Sequence, residues 1–282
     1  MNLKDKIAVV TGGSRGIGKA VVEALAANGC RVVAVSRSAE ELKSLQDELE
    51  RSGLRIEIES VDVSDYDLVQ KLISGVVEKF GTIDILINAA GIYGPIGLFG
   101  DNDIKKWAQT LQINLMGAAN CAHAVLPIMT KNKSGKIINF SGGGAVNSFP
   151  HFSAYATSKA AVVRFTENLA AEYKDFNIQV NAVAPGAVNT KLLGEVLAAG
   201  PEKAGKDFYE KSVKQQQEGG EDPKLAADLI LFLVSSDLTG KLISAKWDNW
   251  KEWNEAEIER INDSQEYTLR RIDNKYFKEI GK

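Results

Sequence analysis

Short apolar runs alternate with longer amphipathic segments along this chain, and that alternation limits the folds open to it. We expect the runs to form strands; they lie at residues 6–10, 31–35, 55–61, 83–88, 136–141 and 178–183. Segments with helical spacing separate them, among them residues 18–28, 39–52 and 66–80. Strands that alternate with helices of about 10–15 residues form βαβ units, whose parallel sheet is covered on both faces. Because such crossovers are right-handed, the pattern predicts an α/β fold with a doubly wound parallel sheet.

Composition excludes several classes of protein. The 34 Lys and Arg residues nearly balance the 37 Asp and Glu residues, so the chain lacks the basic surface of a nucleic-acid binder. No apolar run approaches the roughly 18 residues of a membrane span, and the start lacks the apolar core of a secretory signal. Two cysteines and two histidines cannot build a disulfide framework or a Cys/His zinc site. We therefore expect a cytoplasmic protein that takes a small-molecule ligand and holds no metal.

A glycine-rich turn, Thr11-Gly-Gly-Ser-Arg-Gly-Ile-Gly18, joins the first predicted strand to the first predicted helix. Glycines allow a tight turn and bring backbone N–H groups close to a pyrophosphate at the N-terminus of a helix. Such turns also occur for packing alone, and the spacing differs from the commoner Gly-x-Gly-x-x-Gly. We interpret this one as a dinucleotide phosphate loop, with expected contacts from Gly12, Ser14, Arg15, Gly16, Ile17 and Gly18.

Further motifs follow in a fixed order: Asn88-Ala-Ala-Gly91, then Asn114, then Tyr155-Ala-Thr-Ser-Lys159, then Pro185-Gly-Ala-Val-Asn-Thr190. In this order and spacing the chain resembles the classical short-chain dehydrogenase/reductase family over about residues 3–246. The resemblance implies a single Rossmann-type domain that holds both NAD(P) and the catalytic residues. It also implies a homo-oligomer, a dimer or a tetramer.

Tyr155 and Lys159 are the predicted centre of catalysis. Residues four apart on a helix lie on one face, so both side chains can project into one pocket. An ammonium at about 4 Å, at an effective dielectric near 20, stabilises a phenolate by about 4 kcal/mol. This would lower the tyrosine pKa by as much as about 3, before desolvation opposes the change. Tyr155 is therefore predicted to exchange a proton with a carbonyl or alcohol while a nicotinamide exchanges hydride.

The resemblance gives Lys159 and Asn114 supporting roles. Lys159 is expected to hold the nicotinamide ribose as well as to tune Tyr155, and Asn114 is expected to support a proton relay through water. From its position alone, Asn114 can equally bond the backbone at an irregular helical turn. The two roles are compatible.

The substrate-orienting serine does not fit the family pattern. The family places it thirteen residues before the tyrosine, where this chain has Gly142, and Ser141 stands one place early. One extra loop residue would bring Ser141 into the role, which is the interpretation we adopt; alternatively, backbone N–H groups of the glycines at 142–144 donate instead. Gly142 also favours a different hypothesis, a catalytically impaired protein of the same fold that binds a dinucleotide or regulates.

The end of the second strand indicates the cofactor. NAD sites place a carboxylate here for the ribose 2′-hydroxyl, and NADP sites place an arginine for the 2′-phosphate. This chain has Ser36 and then Arg37, and Arg15 in the glycine loop adds a second guanidinium, so we predict NADP(H), although both arginines can also be plain surface charges. Asp62 and Val63 match the family's adenine-contacting position. The other expected cofactor contacts are Asn88, Ala89, Gly91, Tyr155, Lys159, Pro185, Gly186, Val188 and Thr190.

Loops after the strands supply the expected substrate contacts, which are Tyr93, Gly142 and His151. For His151 a purely structural role is the alternative. These polar groups favour a polar carbonyl or alcohol as substrate. The Gly-, Lys- and Gln-rich connection at 191–222 is predicted to be a mobile substrate lid.

Residues 247–282 extend beyond the domain at 1–246 and are predicted to be helical and docked, with anchors at Ile258, Ile261, Leu269 and Ile272. Trp247, Trp250 and Trp253 fall three apart and would form one stripe on a helix. That stripe docks against the chain's own core or a neighbouring subunit, or else helps to close the active site. Two apolar helical segments, 103–129 and 155–174, need burial on more than one face, and by resemblance they form the subunit interface.

Overall fold

Seven parallel strands form one sheet in the order β3-β2-β1-β4-β5-β6-β7. The computed structural model describes residues 3–271 of the 282. The strands are β1 (Ile7–Thr11), β2 (Arg31–Ser36), β3 (Ile56–Ser60), β4 (Ile85–Asn88), β5 (Gly135–Phe140), β6 (Ile178–Ala184) and β7 (Leu242–Ser244). Val9 of β1 pairs with Val33 of β2 on one side and with Leu86 of β4 on the other. Strand order therefore reverses at β1, and this reversal opens a crevice at the carboxyl ends of β1 and β4.

Helices cover both faces of the sheet, so the predicted doubly wound α/β fold is confirmed. They are α1 (Gly16–Ala27), α2 (Ala39–Arg51), α3 (Tyr66–Phe80), α4 (Ile104–Leu111), α5 (Gly117–Asn132), α6 (Ser153–Glu172), α7 (Lys191–Ala204), α8 (Lys206–Glu218), α9 (Pro223–Ser235) and α10 (Glu255–Asp263). A π-helical turn, Gln112–Met116, joins α4 to α5, and α7 is interrupted at Gly200. No helix among residues 3–271 combines the length and apolar character that a membrane span requires.

Local sequence signals explain where several helices start and end. The Ser38 hydroxyl accepts a hydrogen bond from the Glu41 amide at the start of α2, and Asp65 accepts one from the Leu68 amide at the start of α3. Gly81, with φ of 81°, ends α3 in the left-handed conformation that glycine tolerates best. These caps satisfy backbone groups that a helix end leaves free.

Alternate residues of each central strand enter two separate cores. Ala8 and Val10 of β1 belong to the cluster that packs against α1, α2 and α9, whereas Ile7 and Val9 belong to the cluster that packs against α3 and α5. Because β1 is buried on both faces, it is apolar from Ile7 to Val10, and only Thr11 at its end is polar. This continuous burial holds the sheet rigid beneath the loops that form the crevice.

Residues 191–222 are helical. The predicted long loop consists mainly of α7 and α8, which meet at Gly205. Phe208 of α8 packs edge-on against Phe149 and Phe152, with ring centroids 4.8 and 5.1 Å apart. An aromatic cluster therefore holds this helical segment against the loop before α6.

The C-terminal extension packs on the domain's own core. Trp250, Ile258 and Ile261 are buried in the cluster with α1, α2 and α9, and the Trp250 indole N–H donates to the Ala245 carbonyl at 3.0 Å. Leu269 packs against a smaller cluster beside β6. Ile272 and the rest of the predicted extension, 273–282, lie outside the described residues.

The predicted tryptophan stripe is wrong. Only Trp250 lies in a helical turn, a short 3₁₀ segment, whereas Trp253 is extended and the exposed fraction of Trp247 is 76%. The reason is a cap: Asn254 accepts a hydrogen bond from the Glu257 amide, so α10 begins only after the third tryptophan. Trp253 instead packs against Tyr267, with ring centroids 5.2 Å apart.

Truncation of Ile261 tests whether the extension contributes to the stability of the domain. The Ile261 side chain is fully buried, so Ile261→Ala leaves a cavity and is expected to lower the free energy of unfolding by about 2–5 kcal/mol. Urea denaturation measures the change. Trp247→Ala, on an exposed side chain of the same extension, is the control, with an expected change within about 0.5 kcal/mol. Equal effects of the two substitutions would contradict the docking described here.

Candidate active site

A cavity of about 870 Å³ lies at the carboxyl ends of the strands, next to the switch point between β1 and β4. Its volume lies within the range of ligand pockets. The turns after β1 to β5, the helix α6 and the start of α7 all contribute to its wall. The predicted site residues on that wall are Gly12, Ser14, Arg15, Gly16, Ile17, Gly18, Ser36, Arg37, Asp62, Val63, Ala89, Gly91, Ser141, Tyr155, Lys159, Pro185 and Thr190.

The glycine loop requires its glycines because backbone packs on backbone. Gly12 has φ of 67°, and a Cβ built on it would lie 2.7 Å from the backbone nitrogen of Ala90. A Cβ on Gly18 would overlap the carbonyl oxygen of Gly12. The loop therefore lies directly against the turn after β4, and α1 begins at the cavity wall. This cradle fits a dinucleotide pyrophosphate, which binds to the amides at such a helix start.

Tyr155 and Lys159 lie on one face of α6, as their spacing predicts, and both side chains are almost fully buried. The Lys159 ammonium donates to the Phe140 carbonyl at 2.7 Å and stands 5.6 Å from the centroid of the Tyr155 ring. Burial lowers the pKa of Lys159 to about 8. It raises the pKa of the Tyr155 phenol above its usual value, with a further contribution from Tyr93.

The expected lowering of the tyrosine pKa is therefore wrong for this structure. Desolvation disfavours the charged forms of both Tyr155 and Lys159. The lysine ammonium is bonded to a main-chain carbonyl instead of the phenol oxygen. As a result, Tyr155 holds its proton at neutral pH, and the pKa of Lys159, about 8, lies close to neutral pH.

Asn114 occupies the π-helical turn before α5 and ties it to the turn after β4. Its side-chain oxygen accepts from the Ile92 amide at 2.8 Å, and its side-chain nitrogen donates to the Ile92 carbonyl and the Ser158 hydroxyl, each at 2.9 Å. A Cβ built on Gly91 would lie 3.3 Å from the Asn114 oxygen and 3.6 Å from the Lys159 nitrogen. The structural role expected for Asn114 at an irregular turn is confirmed, and its side chain lies beside the lysine.

The position that faces the Tyr155 hydroxyl is Gly142. A Cβ built on Gly142 would overlap that hydroxyl oxygen, so the phenol occupies the space of a side chain at this position. The Ser141 hydroxyl, one residue earlier, is buried and has no hydrogen-bond partner among the described residues. Because buried hydroxyls are usually bonded, this orphaned group on the cavity wall is available to a ligand.

Carboxylates pair with both guanidiniums on the cavity wall. Arg15 donates to Glu41 at 2.7 Å, and the Ser14 hydroxyl donates to the other oxygen of the same carboxylate at 2.8 Å. Arg37 lies 3.9 Å from a carboxylate oxygen of Asp62. Both predicted phosphate-binding arginines thus lie on the cavity wall, each with an acidic neighbour.

Three predicted cofactor residues lie behind or beside the cavity. The side-chain nitrogen of Asn88 donates to the side-chain oxygen of Asn139 at 2.9 Å within the sheet. Gly186 has φ of 90° next to the Glu221 side chain, and Val188 forms an isolated β-bridge with Glu221. Gly186 and Val188 thus shape the turn after β6.

Tyr93 and His151, two of the predicted substrate residues, differ from each other in their surroundings. The ring of Tyr93 packs edge-on against that of Tyr155 with centroids 4.6 Å apart, and burial together with Glu195 raises the pKa of Tyr93 to about 12. His151 has φ of 70°, and its imidazole lies beside Gly205 at the junction of α7 and α8. Within residues 3–271 its Nδ1 atom is buried without a hydrogen-bond partner. His151 therefore contacts the helical segment over the site.

Sequence reasoning missed two acidic residues on the cavity wall, Glu41 and Glu195. A signal for Glu41 was present: Ser38-x-x-Glu41 is a capping-box pattern, which predicts the start of a helix next to the glycine loop. Glu195 lies in the second turn of α7, and no motif marks it. Burial raises the pKa of its carboxyl, and the nearby Lys191 and Arg15 oppose that change.

Comparison with known proteins agrees with this geometry. Residues 6–199 match the family model described as short chain dehydrogenase. A short chain dehydrogenase of Pseudocercospora fijiensis is 39% identical over 192 residues, 67% of this chain and 62% of its own length. The 3-oxoacyl-acyl-carrier-protein reductase of Thermotoga maritima is 34% identical over 246 residues, 86% of this chain and 97% of its own length.

Solved structures with the same architecture bind both types of nicotinamide cofactor. An NAD⁺-bound xylitol dehydrogenase superposes with a TM-score of 0.79 at 28% identity, covering 86% of this chain and 98% of its own. A gluconate 5-dehydrogenase of Burkholderia cenocepacia, in complex with NADP and tartrate, superposes with a TM-score of 0.75 at 27% identity, covering 86% and 95%. The fold and a nicotinamide dinucleotide site are common to these proteins.

Replacement of Lys159 by Met tests the burial of its charge. The lysine pKa is about 10.4 in an unfolded chain and about 8 in the folded protein, so between these values the folded state binds fewer protons. Wild-type stability, relative to Lys159→Met, therefore rises with pH in that window. We expect the difference in free energy of unfolding to move towards the wild type by about 2–3 kcal/mol between about pH 7 and pH 10.

Urea denaturation across that pH range measures the effect. Lys105→Met, on an exposed lysine of α4, is the matched control for loss of an ammonium and is expected to show no such trend. A constant difference between the wild type and Lys159→Met would mean that Lys159 keeps an ordinary pKa in the folded protein.

Proposed function

This chain belongs to the short-chain dehydrogenase family, and from that premise we propose that it is an NADP(H)-dependent oxidoreductase that interconverts a carbonyl group and a secondary alcohol. The observation that carries the proposal is the pairing of Tyr155 with Lys159 on one buried face of α6, at the wall of the cavity. The glycine loop and the two arginines lie on the same wall.

Under this proposal the chain binds the dinucleotide along the cavity. Backbone amides at the start of α1 bind the pyrophosphate, because the glycine loop brings them to the wall without side chains in between. Arg15 and Arg37 bind the 2′-phosphate with planar, permanently charged guanidiniums. Lys159, which lies on the same cavity wall, binds the nicotinamide ribose, as the family resemblance implies. The bound nicotinamide supplies or accepts the hydride.

Tyr155 provides the proton. Its phenol is protonated at neutral pH and can donate to a carbonyl oxygen that gains charge during reduction, while burial opposes formation of the phenolate. The Lys159 ammonium stabilises the phenolate that remains. The cost of burying this ammonium is already present in the folded protein. Asn114, whose side chain is held beside Lys159, supports the return of a proton from water.

Ser141 polarises the substrate carbonyl in this proposal. Its hydroxyl is buried at the cavity without another partner in the described chain, which supports a role as hydrogen-bond donor to a ligand. Backbone amides of the glycines at 142–144 are the alternative donors. Tyr93, whose ring packs on that of Tyr155, and His151, in the loop before α6, carry the polar groups that favour a polar substrate.

The segment 191–222 acts as the substrate lid, and the working form is a cytoplasmic homodimer or homotetramer. Support for the lid comes from Lys191, Leu192 and Glu195, which lie on the cavity wall. Support for a reducing compartment comes from Cys30 and Cys121, which are both free and buried.

A catalytically impaired dinucleotide-binding or regulatory protein is the second candidate. The observation that favours it is Gly142, where a serine of the family would stand and where Tyr155 now fills the space. Intact Tyr155, Lys159 and Asn114 oppose it. The two candidates differ in turnover and agree in cofactor binding, so one experiment separates them.

Substitution of Tyr155 by Phe is expected to lower kcat for reduction of a panel of polar ketones by about 10²–10⁴-fold, because it removes the proton donor. The dissociation constant for NADPH, measured by fluorescence, stays within about twofold, because the ring that packs on Tyr93 is retained.

Tyr66→Phe is the control, since it removes a phenol that bonds His123 and Gln70 on the protein surface. Undiminished turnover in Tyr155→Phe would refute the mechanism. A wild type that binds NADPH and reduces no carbonyl would support the impaired protein instead.

A further inference from the structure

Glu41 contacts Arg15, one of the two arginines that we propose to bind the 2′-phosphate. Its carboxylate spans the glycine loop by accepting from the Arg15 guanidinium at 2.7 Å and from the Ser14 hydroxyl at 2.8 Å. All three residues are on the cavity wall, as is Arg37. The carboxylate therefore takes up donors that suit a phosphate, and it does so from within the chain.

The capping pattern at the start of α2 makes this contact unusual. In a complete capping box, the glutamate at the third helical position reaches back to the amide of the capping residue. Here the Ser38 hydroxyl accepts from the Glu41 amide, but the Ser38 amide donates to the Ser36 hydroxyl at 3.2 Å. The Glu41 carboxylate is thus released from the cap and turns towards the glycine loop.

The strength of the Arg15–Glu41 pair decides whether the carboxylate prevents a 2′-phosphate from binding to Arg15 or only competes with it. The Arg15 and Glu41 side chains are 52% and 38% exposed, and an exposed pair of this kind shifts an equilibrium by no more than about fivefold. A 2′-phosphate offers more charge and more acceptor oxygens to the same guanidinium. It can therefore displace Glu41, at the cost of breaking the pair and of bringing two negative groups together.

We infer that Glu41 is a built-in competitor for the 2′-phosphate subsite, and that it sets the selectivity of this protein between NADP(H) and NAD(H). This inference rests on the proposed cofactor. Glu41 leaves Arg15 when NADPH binds and stays in place when NADH binds, because NADH has no phosphate there. Glu41 is a positioning residue: it acts through Arg15 on the affinity of one cofactor.

Glu41→Gln is the direct test. The amide keeps the size and an acceptor oxygen of the side chain but loses its charge. We expect the dissociation constant for NADPH to fall by about threefold to fivefold, and that for NADH to stay within about twofold. Fluorescence titration of the purified protein with each cofactor measures both constants without any substrate. A purely structural role would change the two constants together or neither.

Glu40→Gln is the matched control, because it removes the same charge from the same first turn of α2 at an exposed side chain. It is expected to leave the ratio of the two constants unchanged. A double-mutant cycle adds a second test: in an Arg15→Ala background, the gain in NADPH affinity from Glu41→Gln should be clearly smaller, because the Arg15–Glu41 pair is already absent. The midpoint of thermal unfolding without cofactor verifies that each variant is folded.

One result would overturn the inference about Glu41, and a different result would overturn the proposed cofactor. If Glu41→Gln leaves NADPH affinity unchanged or weaker while the wild type prefers NADPH, the inference about Glu41 is overturned and the proposed cofactor stands. If the wild type binds NADH more tightly and Glu41→Gln gains affinity for NADPH alone, the competitor role stands and the proposed cofactor is overturned.

Discussion

Contact between two pieces of main chain, the glycine loop after β1 and the turn after β4, is the constraint on which the site depends. Any side chain at Gly12 would collide with the backbone at Ala90, so the two turns meet only because a glycine stands there. The contact joins the strands on either side of the switch point. It also places the start of α1, where helix geometry leaves amides without intrahelical partners, along the cavity that Tyr155 and Lys159 reach from α6. The sheet is buried on both faces and supplies the rigidity that such close packing needs.

Burial is what makes the chemistry of the site costly and useful at once. Lys159 loses solvation and gains a single main-chain carbonyl, so its pKa falls to about 8. Tyr155 retains its proton for the same reason. The pKa values of Tyr155 and Lys159, which are ordinarily close together, are thereby moved apart: that of the lysine falls towards neutral pH, and that of the tyrosine rises away from it. Such a separation suits a proton donor and its helper. Around Arg15 and Arg37 the charges are exposed, and solvent keeps them exchangeable between partners.

Much of the fold followed from periodicity, because strands buried on both faces and helices with clear caps leave strong local signals. The bounds of α3 were predicted to the residue, and its cap at Asp65 and its final Gly81 explain why. Side-chain direction was not predictable in the same way. Spacing placed Lys159 near Tyr155 on α6, yet the main-chain carbonyl of Phe140 that binds the lysine comes from the strand β5. The capping pattern Ser38-x-x-Glu41 can be recognised in the sequence, but only tertiary packing turns the Glu41 carboxylate towards Arg15. Spacing by threes among tryptophans likewise predicts a stripe only if a helix contains them all.

A thermal-shift titration with NADPH and NADH side by side tests the central claim most directly. A ligand at about 100 times its dissociation constant stabilises a folded protein by about 2.7 kcal/mol, which raises the midpoint of a domain of this size by a few degrees. We predict such a rise with NADPH and a clearly smaller one with NADH at equal concentration. A larger rise with NADH would contradict the assignment of Arg15 and Arg37 to a 2′-phosphate. No rise with either would contradict a working dinucleotide site altogether.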